Sequence, residues 1–159
     1  MTDDATGSGP IRETAGLTSW PELSAIEQSL VRGGLRKKRT AGIIQAHGMA
    51  LRWDGVPGAP LTGSYSYADQ RDLVPEFAHA AVGLIAQDVL TVRCTSVSYP
   101  QDSDHHVAAC DLGPVLRDPA TWIWNAQEPS RYWLDMPQPA HARWYWPVPR
   151  SVDTPILGS

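Results

Sequence analysis

The sequence predicts an α+β fold, on the evidence of two helical segments and one alternating segment. Apolar residues recur at helical spacing over residues 20–32, after a serine, a first-turn proline and a glutamate. Residues 67–87 contain a second helical pattern, which also follows a serine. Residues 90–94 alternate between apolar and polar side chains, as a half-buried strand does. Helices grouped before strands are typical of an α+β fold.

The first helix is predicted to have Ser19 as its N-cap and to end at Gly33-Gly34, because paired glycines commonly stop a helix. The segment that follows is ambiguous, since further glycines weaken its helical pattern. Here we favour a helix to about Gly48, followed by a short extended piece over Ala50–Trp53.

Pro75 is predicted to divide the second helical pattern, because proline does not suit a helix interior. The expected elements are a short helix over residues 67–73 and another over 75–87, which together form a helix-turn-helix. A hairpin is expected next, with strands over residues 90–94 and 105–110 and a polar loop between them. After the hairpin the sequence predicts only a short helical turn.

The order of these elements resembles that of a winged helix: helix, short strand, helix, helix, strand, loop, strand. The resemblance covers residues 19–110 and concerns the architecture alone; an irregular α+β domain without that topology is the alternative. We divide the chain into a disordered tail over residues 1–17, a winged-helix-like domain over 18–118 and an irregular Pro- and Trp-rich segment over 119–159 that packs on it. Within that last segment, the alternation of Arg143–Trp146 is compatible with an edge strand.

Positive charge is concentrated in one short run. The formal net charge is −4, whereas residues 32–39 contain five basic side chains and no acidic one. The rest of the chain is therefore acidic, and any binding to nucleic acid is expected to be confined to this run. No apolar stretch is long enough to span a membrane, and the polar N-terminus does not resemble a signal peptide. We expect a cytoplasmic protein without a membrane partner.

The basic run is the main candidate for a binding surface, since its side chains would contact phosphates or an acidic partner. The alternative is structural: the first arginine complements the dipole at the end of the first helix, and the others begin a solvated helix. Gln87, on the exposed face of the second helical pattern, and Arg93, expected to be exposed on the predicted strand, are secondary candidates. The primary candidates are Arg32, Arg36, Lys37, Lys38 and Arg39.

The predicted helix over residues 75–87 takes the place of a recognition helix in this architecture. It contains no lysine or arginine, and Glu76 and Asp88 add negative charge to it. Direct reading of DNA bases through this helix is therefore not expected.

Five tryptophans of the C-terminal segment form the second candidate. Tryptophan is favoured at binding interfaces and can stack on single-stranded bases. The alternative is that these side chains cover a small core and anchor a segment with little regular structure. They are Trp122, Trp124, Trp133, Trp144 and Trp146.

Metal, cofactor and catalytic chemistry are not predicted. Potential ligands crowd residues 102–111, but their spacing does not match a zinc site and adjacent strand residues face opposite ways. No phosphate-binding loop is present. His47 and His79 are expected to be core or boundary residues, and Cys94 and Cys110 to be buried free thiols.

These observations predict a small, non-enzymatic regulatory or accessory protein whose basic run binds nucleic acid or a nucleoprotein partner. The alternative is a protein–protein interaction module, such as an immunity-type inhibitor, a mobile-element accessory protein or a virion component. Such a module would bind a protein partner through the Trp-rich segment or through an acidic surface formed by Asp69, Asp72, Glu76 and Asp88.

Overall fold

Five helices and three short strands form an α+β fold in residues 20–57, 59–60, 64–97 and 99–137, which this computed structural model describes. The predicted fold class is confirmed. The helices are α1 (Ala25–Leu35), α2 (Ile43–Trp53), α3 (Tyr67–Ala86), α4 (Ala109–Arg117) and α5 (Pro119–Trp122). The strands are β1 (Thr91–Cys94), β2 (His105–His106) and β3 (Tyr132–Asp135), and single 3₁₀ turns lie at Trp20–Glu22 and Thr40–Gly42.

Several predictions fall outside the described residues. They concern the tail over residues 1–17, the edge strand at Arg143–Trp146, and the side chains of Trp144 and Trp146. None of the helices in the described ranges is long and apolar enough to cross a membrane.

The three strands form one antiparallel sheet in the order β2–β1–β3. The predicted hairpin is present, with Arg93 of β1 opposite His106 of β2. On its other side β1 pairs with β3, which places Arg93 opposite Trp133. Arg39 forms an isolated antiparallel bridge with Trp133. The segment before α2 therefore lies along the outer edge of β3.

Two strand predictions require correction. The return strand was predicted over residues 105–110 but covers only residues 105–106. It ends there because the chain forms helix α4 from Ala109 onward. β3 was not predicted at all. It lies in the Trp-rich segment, where Trp133 and Leu134 are consecutive buried residues instead of an alternating pattern.

Helix α1 begins later than predicted, because its N-cap is Ser24. The Ser24 hydroxyl accepts a hydrogen bond from Glu27 N at 3.1 Å, and Ser24 N donates to the Glu27 carboxylate at 2.8 Å. This reciprocal pair is a capping box, in which two free N–H groups of the first turn are satisfied. The preceding Trp20–Glu22 segment is a separate 3₁₀ turn.

Gly33, Gly34 and Gly48 do not end or weaken their helices, contrary to the prediction. Gly33 and Gly34 lie inside α1, where a Cβ on Gly33 would stand 2.6 Å from Ile43 Cδ1 and one on Gly34 would overlap the Leu90 side chain. Gly48 lies inside α2, where a Cβ would stand 2.6 Å from the Tyr65 ring. These glycines allow close packing, and α2 continues as a helix through the piece predicted to be extended, Ala50–Trp53.

The predicted turn at Pro75 is absent, and α3 is one helix of 20 residues. Proline removes one helical hydrogen bond, at a cost of about 3 kcal/mol or more in a helix interior. Pro75 is exposed, whereas Val74, Phe77 and Ala78 around it are buried. Burial of this face on both sides of the proline offsets the lost hydrogen bond.

One apolar core joins the helices to the sheet. It includes residues from α1, α2, α3, β1 and β3, and Phe77 packs against Trp122 with ring centroids 5.7 Å apart. Among its largest fully buried members are Leu30, Ile44, Phe77, Leu90, Leu116, Trp122 and Leu134. The core fixes the end of α1 relative to β3, where the basic run emerges.

Candidate functional site: the basic turn after helix α1

Residues 36–39 of the basic run, called the basic turn below, form the cap of helix α1 and then an extended segment beside β3. Lys37 has a positive φ of 52°, and the N–H groups of Lys37 and Lys38 donate to Gly34 O and Gly33 O. This is the Schellman arrangement that ends many helices. Lys38 O then accepts from Leu134 N at 2.9 Å. The structural alternative in which Arg36–Arg39 begin a helix is therefore wrong, because these residues cap α1 and line β3.

Arg32 has a structural role at the end of α1. Its guanidinium lies over the Trp20 ring, 5.4 Å from the centroid, which is a cation–π distance. Burial lowers the pKa of Arg32, and the nearby Asp54 carboxylate opposes that change. Arg32 is therefore packed against the protein and contributes little to a binding surface.

The hairpin loop engages two further candidates. Lys37 Nζ lies 2.8 Å from the Asp102 carboxylate, and this hydrogen-bonded ammonium lowers the pKa of Asp102. Arg93 donates to the carbonyl oxygens of Asp102 and Asp104 at 2.9 and 3.0 Å. Its Nε lies 2.9 Å from the Asp135 carboxylate without hydrogen-bond alignment. The Arg93 side chain is only 19% exposed, so the expectation that it is exposed is wrong.

Two of the candidate tryptophans are buried and hydrogen-bonded. Trp122 Nε1 donates to Leu116 O at 2.7 Å, and Trp133 Nε1 donates to the Asp104 carboxylate at 2.8 Å. Both side chains are almost completely excluded from solvent. They anchor the described part of the C-terminal segment, residues 119–137, to the core.

Trp124 differs from them, because 60% of it is exposed. It follows the buried residues Trp122 and Ile123 directly. The basic turn is tied to the same loop through Thr40, whose hydroxyl donates to Thr121 O at 2.6 Å and lies 3.2 Å from Ser130 Oγ. The Trp124 ring is therefore exposed to solvent, whereas the loop that carries it is held in place by buried residues and hydrogen bonds.

An open groove of about 450 Å³ separates Trp124 from the basic turn. Among the residues that the structure describes, the lining contains no acidic residue and consists of Lys38, Arg39, Ala41, Gly42, Gln45 and Trp124. A Cβ on Gly42 would meet no atom within 4 Å, so this part of the groove is empty space. Arg39 donates one guanidinium hydrogen to Ser130 O at 2.8 Å, which leaves the other N–H groups of its fork for further partners.

Gln45 helps to build the groove but is already engaged. Its amide nitrogen donates to Tyr65 O at 3.0 Å, and its amide oxygen accepts from Tyr65 N at 2.8 Å. Gln45, Gly42 and Ala41 are not among the predicted site residues. They line the groove together with Trp124, about 80 residues away in the chain, and no local sequence pattern indicates that arrangement.

The remaining candidates lie elsewhere. Gln87 is exposed at the C-cap of α3, and none of its described contacts joins it to the basic run. His79 is exposed, so the expectation that it lies in the core or at its boundary is wrong. His47 is buried, as expected, and its Nδ1 lies 2.9 Å from Ser29 Oγ. Burial, and to a lesser degree the charge of Arg32, lowers the pKa of His47.

Both cysteines are free thiols. Cys94 is a half-buried free thiol, whereas Cys110 is free and exposed at the start of α4, so its predicted burial is wrong. In the described ranges, no group of three or more His, Cys, Asp or Glu side chains is placed to hold a metal ion.

Comparison with protein-family models, curated proteins and solved structures finds no match for this chain.

Proposed function

We propose that this is a non-enzymatic accessory protein that binds nucleic acid through Arg36, Lys38 and Arg39. The observation that supports the proposal most strongly is the open groove, where two of these cations lie beside an exposed tryptophan and none of the described lining residues is acidic. Phosphate binding requires cations whose charge is not already neutralised. Arg32, Lys37 and Arg93 are each engaged within the protein, so three of the original candidates remain as the strongest contacts.

We also infer a winged-helix-like centre, in which α2 and α3 take the place of the helix pair. The element order supports this inference: α1, the Arg39 edge, α2, α3, β1, a loop and β2. On α3 and at its C-cap, however, the exposed side chains include Glu76, His79 and Gln87, and this set does not supply the positive charge that binding to a DNA backbone requires. The proposed contact surface is therefore the turn after α1.

Backbone amide NMR spectra recorded during a nucleic-acid titration distinguish these two surfaces. We expect shifts in residues 36–45 and 122–127, with the amides of α3 unchanged. Shifts confined to the outer face of α3 would instead support reading by the helix and contradict the proposed surface.

A protein-interaction module is the second candidate, and one observation favours it. Asp69, Asp72, Glu76 and Asp88 are all exposed on or beside α3. Such a surface suits a basic protein partner through electrostatic complementarity. Binding to a basic peptide such as oligoarginine that disappears in the Asp72→Asn, Glu76→Gln double variant would support this candidate. Unchanged binding in that variant would argue against it.

Salt-dependent binding tests the main proposal. Fluorescence anisotropy with a labelled oligonucleotide between about 50 and 200 mM salt should give a logarithmic slope of about −2 for three phosphate contacts to a single strand. The double variant Arg36→Gln, Lys38→Gln should reduce the magnitude of this slope to about 0.7. Arg71→Gln, Arg117→Gln is the matched control, because both side chains are exposed elsewhere and the net charge changes equally. Equal losses in the two double variants would contradict the proposed site.

A further inference from the structure

The groove beside Trp124 combines a flat aromatic surface with cations at its border. We propose that it accepts an unstacked base of a single-stranded nucleic acid, with the base against the Trp124 ring and adjacent phosphates on Lys38 and Arg39. This inference rests on the function proposed above and specifies its substrate class. Base–aromatic stacking beside a basic groove is a general means of binding single strands.

Exposure of the tryptophan favours a single strand over a duplex. In a duplex the base faces are covered by their neighbours, so a side chain can stack on a base only if the base is splayed out. Trp124 is 60% exposed although it follows two buried residues, and the groove volume of about 450 Å³ lies within the range of small-ligand sites. The groove therefore offers a base both an exposed ring to stack on and enough space beside that ring.

The lining of the groove predicts tolerance of base sequence. Both ends of the Gln45 amide are hydrogen-bonded to the Tyr65 backbone, which fixes the orientation of this side chain and leaves it one donor and one acceptor position at most for a base edge. Ala41 and Gly42 have no polar side-chain atoms. Specific base reading needs donors and acceptors aimed at base edges, whereas stacking on an aromatic ring needs only the face of a base.

The same geometry disfavours an extended peptide as the occupant. Peptides that add to a sheet are bound by main-chain hydrogen bonds at a free strand edge. The edge of β3 beside the groove is already paired, because Arg39 bridges Trp133 and Lys38 O accepts from Leu134 N. Positive charge and an aromatic ring remain, and these match a phosphate and a base.

The test compares a thymidine oligonucleotide of about 12 nucleotides with a duplex of equal length, bound to the full chain at low salt. We expect the single strand to bind more tightly by about tenfold. Trp124→Ala should lower single-strand affinity by about 5- to 150-fold, while Trp124→Phe retains most of it. Gly42→Leu places a side chain in the open part of the groove and should cause a similar loss without unfolding the protein.

Trp53→Ala is the matched control, because Trp53 is 71% exposed on α2 outside the groove lining. It should leave both affinities unchanged. Equal affinity for duplex and single strand, or unchanged binding in Trp124→Ala and Gly42→Leu, would overturn the inference. If those variants bind normally while Arg36→Gln, Lys38→Gln binds weakly, phosphate binding stands and stacking fails. Binding of oligoglutamate in place of either oligonucleotide would overturn both proposals.

Discussion

Two regions of this molecule combine tryptophan with basic side chains and use them differently. In the first, the Arg93 guanidinium lies over the buried Trp133 ring at 5.5 Å, and the acids Asp104 and Asp135 lie against the pair. In the second, Lys38 and Arg39 border the groove beside the exposed Trp124, and the part of the lining that the structure describes contains no acid. We call these the closed cluster and the open groove.

The difference shows how the surroundings decide the role of a residue type. In the closed cluster, each charge has an opposite charge or a carbonyl oxygen within the protein, so the cluster stabilises the sheet. In the open groove, positive charge remains exposed to solvent beside an aromatic face. We propose that a surface of that kind suits a ligand with both negative charge and an aromatic face.

The largest expected effect is on stability, through the closed cluster. Trp133→Ala should lower the free energy of unfolding by about 3–5 kcal/mol, because a large buried side chain is lost and a cavity remains. Trp124→Ala should change it by less than about 0.5 kcal/mol, since the side chain is exposed. Urea denaturation of both variants measures the two values. Similar values would mean that the two regions do not differ as described.

A second effect concerns pH and the buried His47. Because burial depresses the pKa of His47 in the folded state, the unfolded chain takes up the proton first as pH falls below about 6.5. The free energy of unfolding should therefore decrease as pH falls from about 6.5 toward the lower folded-state pKa. His47→Gln should flatten this part of the stability profile in urea denaturations at a series of pH values. An unchanged profile in the variant would exclude His47 as the cause.

The third effect concerns the ion pair between Lys37 and Asp102, which lies outside both regions and can be broken by one substitution. Asp102→Asn removes the charge that neutralises Lys37, so Lys37 becomes available to a phosphate. The slope of nucleic-acid affinity against salt should then become steeper by about 0.7. Asp72→Asn is the control, because it removes an exposed acid from α3 and changes the net charge equally. The same steepening in both variants would show a general charge effect instead.

The smallest expected effect is on the free energy of unfolding, at two helix C-termini that share the same backbone conformation. Lys37 after α1 and Asp88 after α3 both have positive φ, of 52° and 59°, where glycine is the favoured residue. Lys37→Gly and Asp88→Gly should each raise the free energy of unfolding by up to about 1 kcal/mol. The gain should be smaller for Lys37→Gly, because its surface ion pair with Asp102 is lost. Destabilisation by both substitutions would contradict the assigned cap geometry.

Local patterns predicted the α+β class, the helical character of α1, of most of α2 and of α3, and the first hairpin pairing, because periodicity reports directly on local structure. They missed helix α4, whose first residues were expected to continue a strand. They failed at Gly33, Gly34 and Pro75, where tertiary packing overrides local preference. A glycine that stops a helix and one that admits a neighbouring side chain look the same in the sequence. Only the position of Ile43 and Leu90 distinguishes them.

The candidate site was predicted in part, for a similar reason. A charge count locates Arg36–Arg39, but it does not show that Asp102 neutralises Lys37 or that Arg32 lies on Trp20. Likewise, the composition predicts that the tryptophans lie either in an interface or in the core. It does not distinguish the buried Trp122 from the exposed Trp124 two residues later. These distinctions depend on contacts between distant parts of the chain.

The most direct test of the open groove follows the tryptophan indole N–H signals by NMR while a thymidine oligonucleotide is added. The Trp124 signal, assigned by its loss in Trp124→Phe, should shift progressively, whereas those of the buried Trp122 and Trp133 should remain in place. If Trp124 stays unchanged while the protein binds the oligonucleotide, the open groove is not the binding surface.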